Sequence, residues 1–293
     1  MIKQKFGSTG IEVSLLGFGA GHIGNINQDE KEIERFLNEI LDLGINLIDT
    51  ARAYGLSEKR IGKYISHRRS EYILSTKVGY DVEWKPDWTF DSVYYGIDQA
   101  LLLLKTDYLD IVHLHSCSRE ILQQGDVITA LEKAKQEGKI RFMAYSGEND
   151  ALDYALETCK FDSIQTSVNF CDQRGITKYL PKAIVSELGV IAKRPIANAP
   201  WRHTNPPVGH YSEEYWHRLK KMNLEIPVTD LTDIAIRFSA FTPGVSTCIV
   251  GSSNLEHIKK SIISVEKGPL DAEMRDFLER KFRESDDNWV GLI

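Results

Sequence analysis

The chain has 293 residues, 42% hydrophobic and 27% charged, a size and composition that suit a soluble globular protein and are ordinary for one α/β barrel. Asp plus Glu is 42 against 36 Lys plus Arg, a formal charge of −6, which argues against nucleic-acid binding but leaves room for an anionic cofactor held by a local basic patch. There is no long apolar run, Met1 to Gly7 lacks the apolar core of a signal peptide, and the four cysteines form no Cys-x-x-Cys pair, so the expectation is a cytoplasmic protein without a membrane span or disulfide framework.

In chain order, Gly7-Ser8-Thr9-Gly10 separates two short polar–apolar runs within residues 1–13 and predicts a hairpin. Short apolar, mostly β-branched runs then predict strands at Leu15–Gly19, Leu47–Thr50, Tyr72–Val78, Leu109–His115, Ile140–Ser146, Ser163–Val168, Val190–Ile196 and Cys248–Val250. Between them, helical faces are marked by Ile33, Phe36, Leu37, Ile40 and Leu41, and by Phe90, Val93, Ile97, Leu101 and Leu104. Others are marked by Val127, Ala130, Leu131 and Ala134 behind Asp126 as a cap, by Ile176, Tyr179, Leu180, Ala183 and Ile184, and by Leu255, Ile258 and Ile262 behind Asn254. Asn198–Tyr211, with Pro200, Pro206, Pro207 and Gly209, reads as a long loop, and Leu270–Glu284 as a helical tail.

Eight strands alternating with helices imply a parallel sheet, and the count favours closure into a (β/α)8 TIM barrel over an open sheet. No Gly-x-Gly-x-x-Gly opens a helix after a strand, and no repeat or linker divides the chain, so one domain spanning 1–293 is expected.

A barrel of this kind carries its active site at the C-terminal ends of its strands. There the second strand brings Asp49, with Tyr54 on the following loop; the third brings Lys77; the fourth brings His113 and His115 on one side, with Leu114 opposite. Singly, each has a plain structural reading: a helix cap, half-buried packing, a surface charge, a core histidine. Together they suit proton delivery to an alkoxide forming as hydride adds to a carbonyl. A phenol of pKa about 10 is a reluctant acid at neutral pH. A lysine ammonium beside it favours the ionised form, a carboxylate keeps the lysine charged, and an imidazole holds the carbonyl oxygen.

At these residues the sequence resembles the aldo-keto reductase family. The segment Asn46-Leu47-Ile48-Asp49-Thr50-Ala51-Arg52-Ala53-Tyr54-Gly55-Leu56-Ser57-Glu58 looks like that family's Asp/Tyr segment, Ser75-Thr76-Lys77 like its lysine strand, and Asp107 to His115 like its histidine strand. The resemblance implies Asp49, Tyr54, Lys77 and His115 as the catalytic tetrad, with Tyr54 as general acid. Ser116-Cys117 departs from the family's usual pattern after the histidine. The resemblance further implies NADP as cofactor, with NAD the alternative. Gly21, Ser146, Gln165, Lys193, Arg194, Pro195, Ile196 and Asn198 fall at its binding positions, as do Gly251, Ser252, Ser253, Asn254, His257 and Lys260 around the last strand and helix. Gly147 replaces an asparagine that usually follows the serine. Lys193 stands where an aromatic often stacks on the nicotinamide, though its stem can cover a ring. His257 and Gly251 stand where the family has an arginine and a lysine, so Lys259 or Lys260 is left to supply positive charge. The opening of the last helix suits phosphate through its free amides.

His22, Ile23, Trp84 and Trp201 are the expected walls of a small-carbonyl pocket, with Trp88 as packing and Arg52 in an ion pair beside Asp49. Two other functions compete with this one. A cofactor-binding regulatory module of the same fold is disfavoured by the complete tetrad. A metal-dependent hydrolase or isomerase using His113, His115 and Asp49 is disfavoured by Lys77, which repels a cation. Small-molecule substrates are the expected partners; the sequence says nothing of oligomeric state.

Overall fold

The computed structural model describes residues 1–293. A hairpin of β1 (Lys3–Lys5) and β2 (Glu12–Ser14) precedes β3 (Leu16–Gly19), α1 (Glu30–Asp42), β4 (Leu47–Asp49), α2 (Ser57–Tyr64), β5 (Ile73–Val78), α3 (Phe90–Leu104) and β6 (Leu109–His115). Then come α4 (Arg119–Gln124), α5 (Asp126–Gln136), β7 (Ile140–Ser146), α6 (Asn149–Glu157), β8 (Ser163–Ser167), α7 (Arg174–Lys178), α8 (Leu180–Val185) and β9 (Gly189–Lys193). The chain ends with α9 (Glu213–Met222), α10 (Val228–Ala240), β10 (Thr247–Val250), α11 (Leu255–Glu266) and α12 (Ala272–Ser285). Strands β3 to β10 lie side by side in parallel, and β10 pairs back onto β3, closing a (β/α)8 barrel. No helix is long and apolar enough to cross a membrane.

Local chemistry accounts for most elements. The face of α1 predicted to be apolar is buried, and Asp29 caps its free amides at Lys31 and Glu32. Thr89 and Ser92 form a capping box at the start of α3, and Asn254 caps α11.

Four expectations need correction. β9 stops at Lys193 rather than Ile196, because Arg194, Ala197, Asn198 and Ala199 take left-handed φ values of 55°, 47°, 59° and 52° that no strand accommodates. Asp126 lies inside the first turn of α5; the position before it is Gly125, at φ 84°. The single helix expected over residues 176–184 is two short ones, with Pro181 in the first turn of the second, where its missing amide costs nothing. Helices α2, α4, α6, α9 and α10 lie outside the helical faces read from the sequence; α9, for one, buries only Tyr215, Arg218 and Met222 in a charged sequence, too few apolar positions for a periodic signal.

The barrel interior is graded along its axis. Side chains of a strand alternate between the interior and the surrounding helices. At the closed end Phe6, Ile11 and Val13 of the hairpin pack on the inward residues Leu47, Ile111, Ala144 and Ile191, forming an apolar plug. Outward residues of the same strands, such as Ile48, Leu74, Val112 and Leu114, join the main core under the helices. Further along β4 to β9 the inward positions turn polar: Asp49, Ser75 and Lys77, His113 and His115, Ser146, Gln165 and Lys193. A second core, of Phe170, Tyr215, Leu231, Phe238, Leu278 and Phe282 among others, ties α9, α10 and α12 to the open end.

One close approach sets the loop that bears Tyr54. Leu56 N donates to Gly24 O (3.0 Å), and a Cβ on Gly24 would stand 1.7 Å from the carbonyl oxygen of Tyr54. Gly24→Ala should therefore displace that loop and lower stability by about 1–3 kcal/mol, the usual cost of forced overpacking, read as a lower midpoint in urea with an unchanged slope.

Candidate active site

The polar end of the barrel is organised around Lys77. Its side chain is 2% exposed, and its ammonium has three protons to place. One goes to Asp49 Oδ2 at 2.6 Å, one to the carbonyl of Thr50 at 2.9 Å and one to the hydroxyl of Tyr54 at 3.3 Å. Burial alone would push the lysine pKa down, but the carboxylate of Asp49 and the phenol of Tyr54 outweigh it, and the group ends above its ordinary value. The ammonium also lies 4.7 Å from the centroid of the Tyr54 ring.

Asp49 is saturated in turn. Oδ1 accepts from Ser75 Oγ at 2.8 Å and Gln165 Nε2 at 3.1 Å, and the Gln165 carbonyl oxygen accepts from Ser146 Oγ at 2.9 Å. A carboxylate only accepts, so the Ser75 proton points to Asp49. Ser75 Oγ must then receive its bond from His113 Nε2, 3.1 Å away. The network has one polarity, from His113 through Ser75 to Asp49, and from Lys77 outward to Tyr54. Because Lys77 donates to the Tyr54 oxygen, and no other side-chain or backbone partner engages that hydroxyl, the phenol's own proton is free.

His115 sits across from Tyr54, with ring centroids 6.0 Å apart and planes at 85°. Burial, reinforced by the positive charges of Lys77 and Lys193, holds its pKa down to about 3, so the imidazole is neutral. His113, fully buried, is held well below the usual range for the same first reason.

The structure thus gathers Asp49, Tyr54, Lys77 and His115 at one end of the barrel. The other expected site residues fall as follows. Gly21 lies against the Tyr54 ring, a Cβ there being 3.7 Å from Cδ2. Ser146 and Gln165 are buried beside Asp49. The Lys193 ammonium is held 3.3 Å from Glu148 Oε1. The Arg194 guanidinium donates to Ser167 Oγ, to the Tyr211 hydroxyl and to the carbonyl of Leu292 in the C-terminal tail. Ser239 Oγ bonds the carbonyl of Pro195, Ile196 packs against the core, and Asn198 Nδ2 donates to the carbonyl of Tyr211. Gly251 faces His22, whose Nδ1 would be 3.0 Å from a Cβ at that position. Ser252 Oγ stands 3.2 Å from His257 Nδ1, while Ser253, Asn254, His257 and Lys260 are exposed at the start of α11. Lys259 is paired with Glu256 at 3.0 Å; Lys260 has no such partner.

Two pocket residues are corrected. Ile23 is fully buried in the main core and cannot line an open cavity. Trp84 projects into solvent, 90% exposed. Trp201 instead stacks on Phe170, with centroids 6.0 Å apart. Arg52 forms no ion pair; its Nε donates to the carbonyl of Asp81.

Sequence reasoning did not single out Ser75, Tyr80 or Glu148. Ser75 had a usable signal, since it lies two residues before Lys77 and hence on the same face of β5. Tyr80 and Glu148 lie on loops, where no periodicity reveals orientation.

The neutral His115 carries a pH signature. Its folded pKa, about 3, lies below the ordinary value of 6.5, so the unfolded chain binds more protons between these limits. The group's contribution to stability is present above pH 6.5 and lost as pH falls toward 3. His115→Gln should remove this loss, so that the stability difference between variant and wild type shifts in the variant's favour by a few kcal/mol on going from pH 7 to pH 4, measured by urea denaturation.

Residues 15–281 match the model of the aldo/keto reductase family. Among curated proteins the chain is 30% identical to an L-galactose dehydrogenase of Arabidopsis thaliana, over 89% of this chain and 87% of that one. It is 25% identical to a D-arabinose 1-dehydrogenase of Saccharomyces cerevisiae, over 87% and 83% respectively. Among solved structures, the holo form of the aldo-keto reductase AKR11C1 from Bacillus halodurans superposes with a TM-score of 0.84 at 30% identity, covering 96% of both chains. The family match spans most of the barrel, and the chain belongs to the aldo/keto reductase family.

Proposed function

We propose that the protein is an NAD(P)-dependent oxidoreductase that interconverts a carbonyl compound and an alcohol, with Tyr54 as the general acid and base and Asp49, Lys77 and His115 in support. The observation that carries this reading is the three-way commitment of the Lys77 ammonium, which leaves the Tyr54 proton available.

The residues present fit a dinucleotide. Ser146 and Gln165 offer buried hydroxyl and amide groups for a carboxamide, and at Gly251 a Cβ would stand only 3.0 Å from His22 Nδ1 and 3.2 Å from the carbonyl oxygen of Gly19. At the start of α11 Asn254 caps the amide of Glu256, while the amides of Ser253 and Leu255 take no hydrogen bond within the chain and are offered to phosphate, with Lys260 as an unpaired cation nearby. NADP is the proposed nucleotide and NAD its competitor. When bound, the nicotinamide supplies or accepts the hydride.

The chain's own groups account for the proton. In reduction, Tyr54 gives its hydroxyl proton to the forming alkoxide. The phenolate left behind is stabilised by the Lys77 ammonium, 3.3 Å from the oxygen in a site largely shielded from water. Asp49 keeps that ammonium charged and aimed, and Ser75 and Gln165 keep Asp49 from turning. His115, neutral, donates a hydrogen bond to the carbonyl oxygen. In oxidation the same groups run in reverse, the phenolate taking the alcohol proton.

The relatives named as dehydrogenases of galactose and arabinose put aldoses on the substrate panel beside simple aldehydes and ketones. Tyr54→Phe should lower kcat by roughly 10²- to 10⁴-fold while nucleotide affinity, followed by NADPH and NADH fluorescence titration, stays within about twofold. Full turnover by this variant would remove the role given to Tyr54.

A further inference from the structure

A neutral imidazole has one N–H, and which nitrogen carries it decides whether the ring offers a carbonyl oxygen a donor or a lone pair. In His115 the nitrogen turned away from this choice is Nδ1, which stands 2.9 Å from the hydroxyl of Tyr80. We propose that Tyr80 is a positioning residue: its hydroxyl donates to His115 Nδ1, fixes the imidazole proton on Nε2, and so makes His115 a hydrogen-bond donor to the substrate oxygen. The inference rests on the function proposed above.

Three features support this direction of donation. A phenol is a far stronger acid than a neutral imidazole N–H, so in a phenol–imidazole pair the shared proton is the phenol's. Burial raises the Tyr80 pKa, with the Tyr54 phenol adding to it, so the hydroxyl stays protonated. Tyr80 makes no other side-chain hydrogen bond, so donation to Nδ1 is what satisfies its proton.

The pair is also held in place. The Tyr80 and His115 rings stack at 5.5 Å with planes 26° apart. Trp88 packs behind Tyr80 at 5.4 Å, and its amide donates to the carbonyl of Gly79 at 2.7 Å, closing the loop that carries the tyrosine. Tyr80 follows Lys77 by three residues, so the strand that supplies the ammonium also sets the imidazole. The opposite tautomer would aim a lone pair at a carbonyl oxygen that the site must stabilise as it gains charge.

The test uses the full chain, uniformly labelled with 15N, and reads imidazole nitrogens by two-bond 1H–15N correlation, with the His115 signals assigned by their loss in His115→Gln. The wild-type protein should show a bare, pyridine-like Nδ1 and a protonated Nε2. In Tyr80→Phe, which keeps the stacking ring, His115 should shift to a mixture of tautomers, and kcat for carbonyl reduction should fall at least about tenfold with nucleotide affinity unchanged. A protonated Nδ1 in the wild-type protein, an unchanged tautomer in Tyr80→Phe, or an unchanged kcat in a variant whose tautomer has shifted would each overturn the proposal. The tautomer is read without substrate or turnover, so a failure of the Tyr54 mechanism registers separately.

Discussion

The site depends on burying one ammonium group with every proton satisfied. An isolated charge in a protein interior costs many kcal/mol, and removing one partner of a buried pair typically costs about 3–5 kcal/mol. Lys77 escapes that penalty because the carboxylate of Asp49, the carbonyl of Thr50 and the phenol of Tyr54 each take one proton. Each partner is then constrained by the same requirement. Asp49 is held by Ser75 and Gln165, and Ser75 by His113. A chain of obligations that begins as a solvation problem ends by fixing which way each hydrogen bond runs.

The same logic extends around the barrel mouth. Lys193 is matched by Glu148, which also accepts from Thr166 Oγ1 and from the amide of Ser167. Nearby, burial pushes the carboxyl of Asp172 up to about 7, with the charge of Glu148 adding to the effect, although Arg218 lies 3.7 Å away. Arg218 and Arg194 also donate to main-chain carbonyls of Val290 and Leu292, and Asn149 exchanges two hydrogen bonds with Gly291. The C-terminal tail is thereby fastened to the open end of the barrel by side chains of α6, of α9 and of the loop after β9.

Strain collects at this rim. Left-handed backbone at a residue with a Cβ costs on the order of 1 kcal/mol and persists only where its surroundings over-determine it. The four such residues after β9 are fixed by Asn169 Nδ2 on the carbonyl of Arg194, Ser239 Oγ on that of Pro195, and Asn198 Nδ2 on that of Tyr211.

The sequence by itself determined the barrel, the hairpin that precedes it and the polar residues at the strand ends, with His113 and His115 on one side of their strand. Side chains alternate with a period of two, so Asp49, Lys77, His113 and His115 were legible as inward polar groups at strand ends, and Ser75 was there to be read on the same rule. Tertiary structure alone decided the partners that come from irregular segments: Tyr80 against His115, Glu148 against Lys193, and the tail against Arg194 and Arg218. It also placed Ile23 in the core and Trp84 in solvent, against expectation. The physical reason is common to all of these. A strand's pleat ties orientation to position along the chain, whereas a loop residue's direction follows from backbone angles and distant contacts that exist only once the barrel has closed.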